Sequence, residues 1–260
     1  MTKAVFFDID GTLVSFETHK IPVSTQEALK ELRRRGIKVF IATGRPWLLI
    51  NNLGDLEFDG YLTVNGSYCF TARHEPIYKG NIPQEDIERL IAFHRTDDTP
   101  FVFVYDNEMF VTAVNDRVQA VSDLIEIPVP RVAPIEEARG KEILQIMGYF
   151  TAEEEKQIAI FDKVLTHCEP MRWYPLFADI IARGNSKSAG IDKVLAYYGI
   201  DLQDTMAFGD GGNDVLMLKH VATGVAMGNA GAHVKAAADY VTTSVDEDGV
   251  AKALKHFGLI

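Results

Sequence analysis

Four short segments of this sequence place polar side chains directly after apolar runs. Phe7 leads into Asp8-Ile9-Asp10-Gly11-Thr12, Ala42 into Thr43-Gly44-Arg45, and Val64 into Asn65-Gly66. Phe208 leads into Gly209-Asp210-Gly211-Gly212-Asn213-Asp214. Gathered in one place and left empty, Asp8, Asp10, Asp210, Asn213 and Asp214 would repel one another. A hard cation such as Mg2+, which takes oxygen ligands and keeps several waters, resolves that repulsion. With a phosphoryl group also bound, the metal neutralises charge and holds that group against a nucleophile.

The elements around these segments decide whether they meet. Ala4 to Phe7 reads as a buried strand, Ile37 to Ala42 as a second and Gly60 to Val64 as a third. Ser24 to Arg35 reads as a helix, with Ser24 and Glu27 as a capping box, Ala28, Leu29 and Leu32 as its apolar face and Gly36 as its stop. A helix is expected over Pro46 to Leu53, with the proline in its first turn. After residue 183 the rhythm resumes: a helix over Ser188 to Tyr198, a strand over Thr205 to Phe208, a short helix over Asn213 to His220, a strand over Thr223 to Met227, a helix through Ala236 and a last one over Gly249 to Phe257. Short apolar strands alternating with helices predict a doubly wound α/β parallel sheet covered on both faces. Ligands of such sheets bind at the carboxyl ends of the strands, and all four polar segments lie there.

Between residues 82 and 183 the pattern changes. A helix over Gln84 to His94 precedes a hairpin of Phe101 to Tyr105 and Met109 to Val114, turning around Asp106-Asn107-Glu108. A helix, a strand over Ile143 to Tyr149, a helix over Glu153 to Leu165 and a hairpin of Glu169 to Tyr174 and Phe177 to Ala182 follow. The order predicts an α+β unit inserted into the α/β domain, giving domains 1–81 with 184–260, and 82–183.

Composition narrows the partners. The 260 residues are 47% hydrophobic and 24% charged, ordinary for a folded protein. A formal net charge of -11 argues against a nucleic-acid or anionic-membrane surface, since both demand basic patches. An anionic small molecule stays compatible, its counter-charge being local. Cys69 and Cys168 form no CxxC pair and read as buried thiols in a reducing compartment. Met1-Thr2-Lys3 runs straight into an apolar strand with no leader-like segment, and no stretch reaches the ~20 apolar residues of a membrane helix. A cytoplasmic monomer is the expectation.

Asp8-Ile9-Asp10-Gly11-Thr12 resembles the DxDGT signature of the haloacid dehalogenase (HAD) superfamily of phosphotransferases. Thr43 is similar to its second motif, Lys187 to its third and Gly209 to Asp214 to its fourth, in the right order. The inserted unit between the second and third resembles the type IIB (C2B) cap of the Cof-like sugar phosphatases, and the resemblance spans essentially the whole chain. It implies a Rossmann-like HAD core with an α+β cap over its catalytic edge, and Mg2+-dependent hydrolysis of small phosphorylated metabolites, hexose and other sugar phosphates foremost. It further implies Asp8 as nucleophile, Asp10 as acid and base, and Thr43 and Lys187 on the phosphoryl oxygens. Asp8, Asp210 and the Asp10 carbonyl would hold the metal. Asn213 and Asp214 would orient Lys187, the phosphoryl group or metal-bound water, and the Asn65-Gly66 loop would contact substrate. A phosphomutase passing the same aspartyl phosphate to a sugar is the nearest alternative, and a phospho-aspartate signalling module a more distant one.

Each segment also has a plainer meaning. An EF-hand calcium loop needs its glycine at the sixth position between helices, whereas Gly11 is fourth and follows a strand. Gly209 to Asp214 can cap a helix through Asn213 or Asp214. Thr43 can be a cap, Asn65-Gly66 a simple turn, and Arg45 either a phosphate ligand, with Gly44 beside it, or a salt bridge. Arg172, Trp173 and Tyr174 read as strand packing, while Arg183 and Asn185 border the junction with Lys187. His167-Cys168 is a single pair, too few for zinc.

Overall fold

The computed structural model describes residues 2–105, 108–124 and 127–260, without the side chain of Trp173. In chain order, β1 (Ala4–Phe7), α1 (Val23–Arg34), β2 (Lys38–Ala42), β3 (Gly60–Thr63), β4 (Tyr68–Thr71) and β5 (Pro76–Lys79) come first. Then follow α2 (Gln84–Phe93), β6 (Phe101–Tyr105), β7 (Glu108–Val111), α3 (Asp116–Leu124), β8 (Arg131–Val132), β9 (Gln145–Gly148), α4 (Ala152–Ile158), α5 (Ile160–Lys163), β10 (Cys168–Tyr174) and β11 (Phe177–Ala182). The chain closes with α6 (Lys187–Tyr198), β12 (Thr205–Gly209), α7 (Val215–His220), β13 (Thr223–Ala226), α8 (Ala232–Lys235), β14 (Tyr240–Val241) and α9 (Gly249–His256).

These elements form two compact units, one of residues 1–45, 50–79 and 186–260, the other of residues 46–49 and 80–185. The first is a doubly wound α/β unit around an eight-stranded sheet of order β14-β13-β12-β1-β2-β3-β4-β5. Pairing is parallel from β14 to β3, and β4 and β5 add an antiparallel edge. One face packs Val5, Phe7, Val39, Ile41 and Phe208 against Leu29 and Leu32 of α1 and Val250 and Leu254 of α9. The other packs Phe6, Phe40 and Ala207 against Ile191 and Val194 of α6 and Met217 and Leu218 of α7. Successive strand residues point to opposite faces, so burial on both explains why the strands are apolar at every position. Each fully buried Phe, Leu or Val contributes about 1.5–3 kcal/mol relative to exposure. From β1 the chain winds toward β2 and β3 on one side, whereas β12, β13 and β14 lie on the other. The order therefore reverses between β1 and β12, where open sheets leave a crevice for ligands.

The second unit carries a six-stranded sheet of order β10-β11-β9-β6-β7-β8, antiparallel except for β7 with β8. Phe101, Phe103, Phe110 and Ile146 pack against α2, α4 and α5 on one face. Val102, Val104 and Met147 pack against Val118 and Val121 of α3 on the other. The hairpin turn expected at Asp106-Asn107 lies outside the described residues.

Four local expectations are corrected. Ser24 caps nothing: Pro22 occupies the N-cap of α1, and the Ser24 hydroxyl donates to Asp248 Oδ1 instead. The helix expected over Pro46 to Leu53 reduces to a 3₁₀ turn at Trp47–Leu49, because Asn51 and Asn52 follow, residues that favour turns over helix interiors. The helix over Glu153 to Leu165 breaks at Ala159, whose φ of 49° is left-handed, though Thr151 and Glu154 form a capping box at its start. The third strand stops at Thr63, since Val64 turns to a φ of 54°.

Candidate active site

At the centre of the first unit, the loops after β1 and β12 bring Asp8, Asp210 and Asp214 together, one carboxylate oxygen of each lying within 4.8 Å of the others. Lys187, the first residue of α6, is fully buried among them. Its Nζ donates to Asp8 Oδ1 and to Asp214 Oδ1, each at 2.6 Å. Two features seat it there. Ser186 caps α6 by accepting from the Ala189 N–H at 3.1 Å. Gly66, with φ of 84°, lets the loop after β3 lie against the same helix start, where a Cβ would come within 2.2 Å of the Ser186 carbonyl oxygen. Any side chain at position 66 would push α6 and Lys187 away.

Asp214 is fully committed. Besides Lys187, its Oδ2 accepts from the N–H groups of Asp210 and Gly211 at 2.9 and 2.8 Å. It therefore braces its own loop and makes no side-chain bond to the helix that follows, contrary to the capping role weighed for it. Asp210 Oδ1 accepts from the Thr12 hydroxyl at 2.8 Å.

A second group surrounds Asp10. Arg45 donates to it through a two-point fork, Nε to Oδ2 at 2.6 Å and Nη2 to Oδ1 at 2.7 Å, so of the two partners weighed for Arg45 the structure shows the carboxylate. The buried Thr43 hydroxyl accepts from the Arg45 N–H at 3.1 Å, a local turn contact. Val64, Asn65 and Gly66 have φ of 54°, 51° and 84°, a run of left-handed residues that is strained for a β-branched valine. The strain brings Asn65 inward: its Oδ1 accepts from Asn213 Nδ2 at 3.0 Å, while its buried Nδ2 has no partner among the described residues. Gly44 leaves room beside both amides, since a Cβ there would meet Asn65 at 3.2 Å and Asn213 at 3.5 Å.

Two buried acids, Asp8 and Asp214, and the half-buried Asp210 crowd one buried ammonium, and the imbalance shows in their titration. Burial pushes Asp8 well above the ordinary carboxylate range; Lys187 opposes the rise, and Asp214, Asp210 and Asp10 add to it. Burial and the Asp214 charge push Asp210 up to about 7, against the Thr12 hydrogen bond and Lys187. Burial alone would lower Lys187, but Asp214 and Asp8 outweigh it and hold the ammonium above its usual value. An all-oxygen donor set with excess negative charge fits a hard divalent cation, with Asp8 and Asp210 as the carboxylates that keep lone pairs for it.

Other residues singled out in the sequence lie elsewhere. Asn185 donates to the Gly80 carbonyl and Arg183 to that of Cys168, both within the second unit. Arg172 donates to the Phe150 and Phe177 carbonyls and pairs with Glu155, a packing role. Both cysteines are buried and unpaired, and burial pushes each thiol up, away from reactivity. Glu85, Asp86 and His167 form another cluster of metal-ligating types, but Arg89 already supplies its cation by donating to Asp86. Sequence reasoning gave no role to Thr12 or Asn229. Asn229 follows β13, so the strand-end argument applied to the other four loops finds it too.

The family model of haloacid dehalogenase-like hydrolases matches residues 5–254. The chain belongs to this family and is an enzyme of the phosphatase type. It is similar to the "Putative phosphatase YkrA" of Bacillus subtilis (strain 168), with 38% identity over 262 residues covering 100% of this chain and 99% of that protein. Among solved structures, the HAD subclass IIB sugar phosphatase BT4131 is 50% identical, with a TM-score of 0.91 and 100% of both chains covered. The phosphatase BT1666 from Bacteroides thetaiotaomicron is 39% identical, with a TM-score of 0.92 and 100% and 96% coverage. Among the described residues no helix is long and apolar enough to cross a membrane.

Proposed function

We propose that this chain is a Mg2+-dependent phosphomonoester hydrolase acting on small phosphorylated metabolites, sugar phosphates foremost, through an aspartyl phosphate on Asp8. The observation that carries the reading is the shared ammonium: Lys187 holds Asp8 and Asp214 at 2.6 Å each, while Asp210 adds a further carboxylate. Such a site is built for a cation and an anion to arrive together.

In the first step the free carboxylate oxygen of Asp8 attacks phosphorus and the bond to the leaving oxygen breaks. Asp10 gives that oxygen its proton, so the alcohol leaves neutral. In the second, Asp10 takes a proton from water as the water oxygen attacks phosphorus, and the bond to Asp8 breaks, releasing phosphate. Lys187 offsets charge on Asp8 throughout. Thr43, the Gly44 N–H and Asn213 are assigned to the transferring oxygens. Asn65, through its Nδ2, and the Gly66 loop are assigned to substrate. Arg45, forked onto Asp10 in the substrate-free chain, is assigned to the border of the substrate site. Mg2+, held by Asp8, Asp210 and the Asp10 carbonyl, would supply charge neutralisation on the phosphoryl oxygens.

Residues 1–81 and 184–260 are assigned to catalysis and 82–183 to a cap that selects the leaving group. The sugar preference follows the sugar phosphatase BT4131, 50% identical to this chain. A reducing, cytoplasmic setting follows from two inert thiols, and a monomer is the simplest assembly.

The test is phosphate release from a panel of sugar phosphates and other phosphomonoesters, with Mg2+ and with EDTA. Release confined to Mg2+ and greatest for sugar phosphates supports the reading. Transfer of the phosphoryl group to a second sugar, without free phosphate, would make the protein a mutase.

A further inference from the structure

The loop after β13 reaches the same sheet edge as the four polar segments. Its backbone is stitched on both sides: the Met227 N–H donates to the Gly209 carbonyl at 3.0 Å and the Gly228 N–H to that of Thr243 at 2.9 Å. Gly228 is pressed so closely on its neighbours that a Cβ would lie 2.5 Å from the Ser244 nitrogen. On this platform stands Asn229, an exposed residue whose amide is nonetheless fully used. Its Nδ2 donates to the Gly11 carbonyl at 2.9 Å and to Asp210 Oδ2 at 3.4 Å, and its Oδ1 accepts from the Val245 N–H at 3.1 Å.

We propose that Asn229 is a positioning residue for the metal site, fixing Asp210 relative to the Asp8–Thr12 loop. The inference rests on the reading of Asp210 as a metal ligand. One amide group spans the two loops that supply the carboxylates. Thr12 holds Asp210 Oδ1 and Asn229 holds Oδ2, so the carboxylate is restrained at both oxygens and keeps lone pairs for a cation. Gly11 is the hinge of the first loop: with φ of 81°, a Cβ on it would lie 2.2 Å from Asp210 Oδ2. The spacing of the two loops is therefore set by a contact that tolerates no side chain and by one amide that bridges it. Partners that orient ligating carboxylates typically account for 10–100-fold in metal affinity.

The prediction is read by calorimetric titration of the whole chain with MgCl2 and, separately, CaCl2. Mg2+ demands near-ideal octahedral geometry, whereas Ca2+ accepts variable distances and ligand numbers, so a loosened site discriminates against Mg2+. Asn229→Ala is expected to weaken Mg2+ binding about tenfold. Ca2+ binding should weaken by less than about threefold. Val245→Pro, at the first position of a 3₁₀ turn where proline is tolerated, removes the N–H from which Asn229 Oδ1 accepts, alters a buried side chain outside the carboxylate cluster, and should leave both affinities near wild type.

Unchanged Mg2+ affinity in Asn229→Ala overturns the proposal. So does an equal loss for both ions, or a Val245→Pro variant that loses as much, since either would make Asn229 a mere brace of its loop. A wild-type chain that binds neither ion overturns it together with the ligand role of Asp210. Because the readout is affinity, a wild type that binds Mg2+ and releases no phosphate would sink the phosphatase reading alone.

Discussion

Two carboxylate clusters, one in each unit and each built around buried acids, respond in opposite ways to burial. In the second unit Asp86 is fully buried, yet it accepts from the His167 N–H at 2.9 Å and from Cys168 Sγ at 3.3 Å, and it pairs with Arg89. Burial would raise its pKa; the hydrogen bonds from His167 and Cys168, with the Arg89 charge, outweigh it and hold the carboxyl below its usual range. In the first unit the same burial wins. Burial pushes Asp8 and Asp210 up, and the neighbouring acids, crowded around one lysine, add to the rise. The lesson is that burial alone distinguishes nothing. A carboxylate supplied with donors stabilises the fold, tying the first turn of α2 to the start of β10, whereas one short of a cation is ready for a ligand.

The largest expected difference between the clusters is chemical. Asp8→Asn should lower phosphate release by about 10⁴-fold or more, while the metal-free melting temperature stays at or above wild type because a crowded charge is gone. Lys187→Met should reverse that pattern in stability, costing about 3–5 kcal/mol in denaturant unfolding by leaving Asp8 and Asp214 buried without their cation. Added Mg2+ should recover part of the loss. Asp86→Ala should cost about 2 kcal/mol, the order expected for hydrogen bonds to a charged group, and leave turnover per folded molecule unchanged. A loss of turnover there, at full folding, would erase the distinction between the two clusters.

The response to pH also separates the sites, and its sign differs between them. Asp86, lowered from 3.8, contributes stability that is present above the unfolded value and lost as pH falls through the lower folded one. Asp210 rises from 3.8 to about 7, so between these values the native state keeps a proton that the unfolded chain releases, and stability falls as pH climbs. Melting curves in EDTA should therefore decline from about pH 4 to pH 7, and Mg2+ should remove the decline at its upper end. Asp210→Asn should lessen it without metal, leaving the part that the raised Asp8 carboxyl contributes.

Much of this was legible in the sequence. Acidic loops after apolar strands predicted the sheet edge, and the edge is where Asp8, Asp210 and Asp214 meet. The helix over Ser188 to Tyr198 and its Gly199 stop are observed, with Gly199 at φ of 65°. Lys187 was not legible from its type; only the helix start places its ammonium among the acids. The β4–β5 edge escaped notice because its strands are short and follow a turn, without the alternation that marks a longer element. Ser24 and Glu27 matched a capping box in spacing, but a tertiary partner, Asp248, claimed the hydroxyl. Asn229 carries no charge and fits no metal-ligand spacing, so its connection to Gly11 and Asp210 exists only in the fold.

The most direct test is to trap the covalent step. Wild type mixed with a turned-over sugar phosphate and Mg2+, quenched in acid and digested with trypsin, should show one added phosphoryl group on the Ala4–Lys20 peptide, located on Asp8 and absent from Asp8→Asn. A phosphoryl group on another residue, or undiminished turnover by purified Asp8→Asn, would contradict the account.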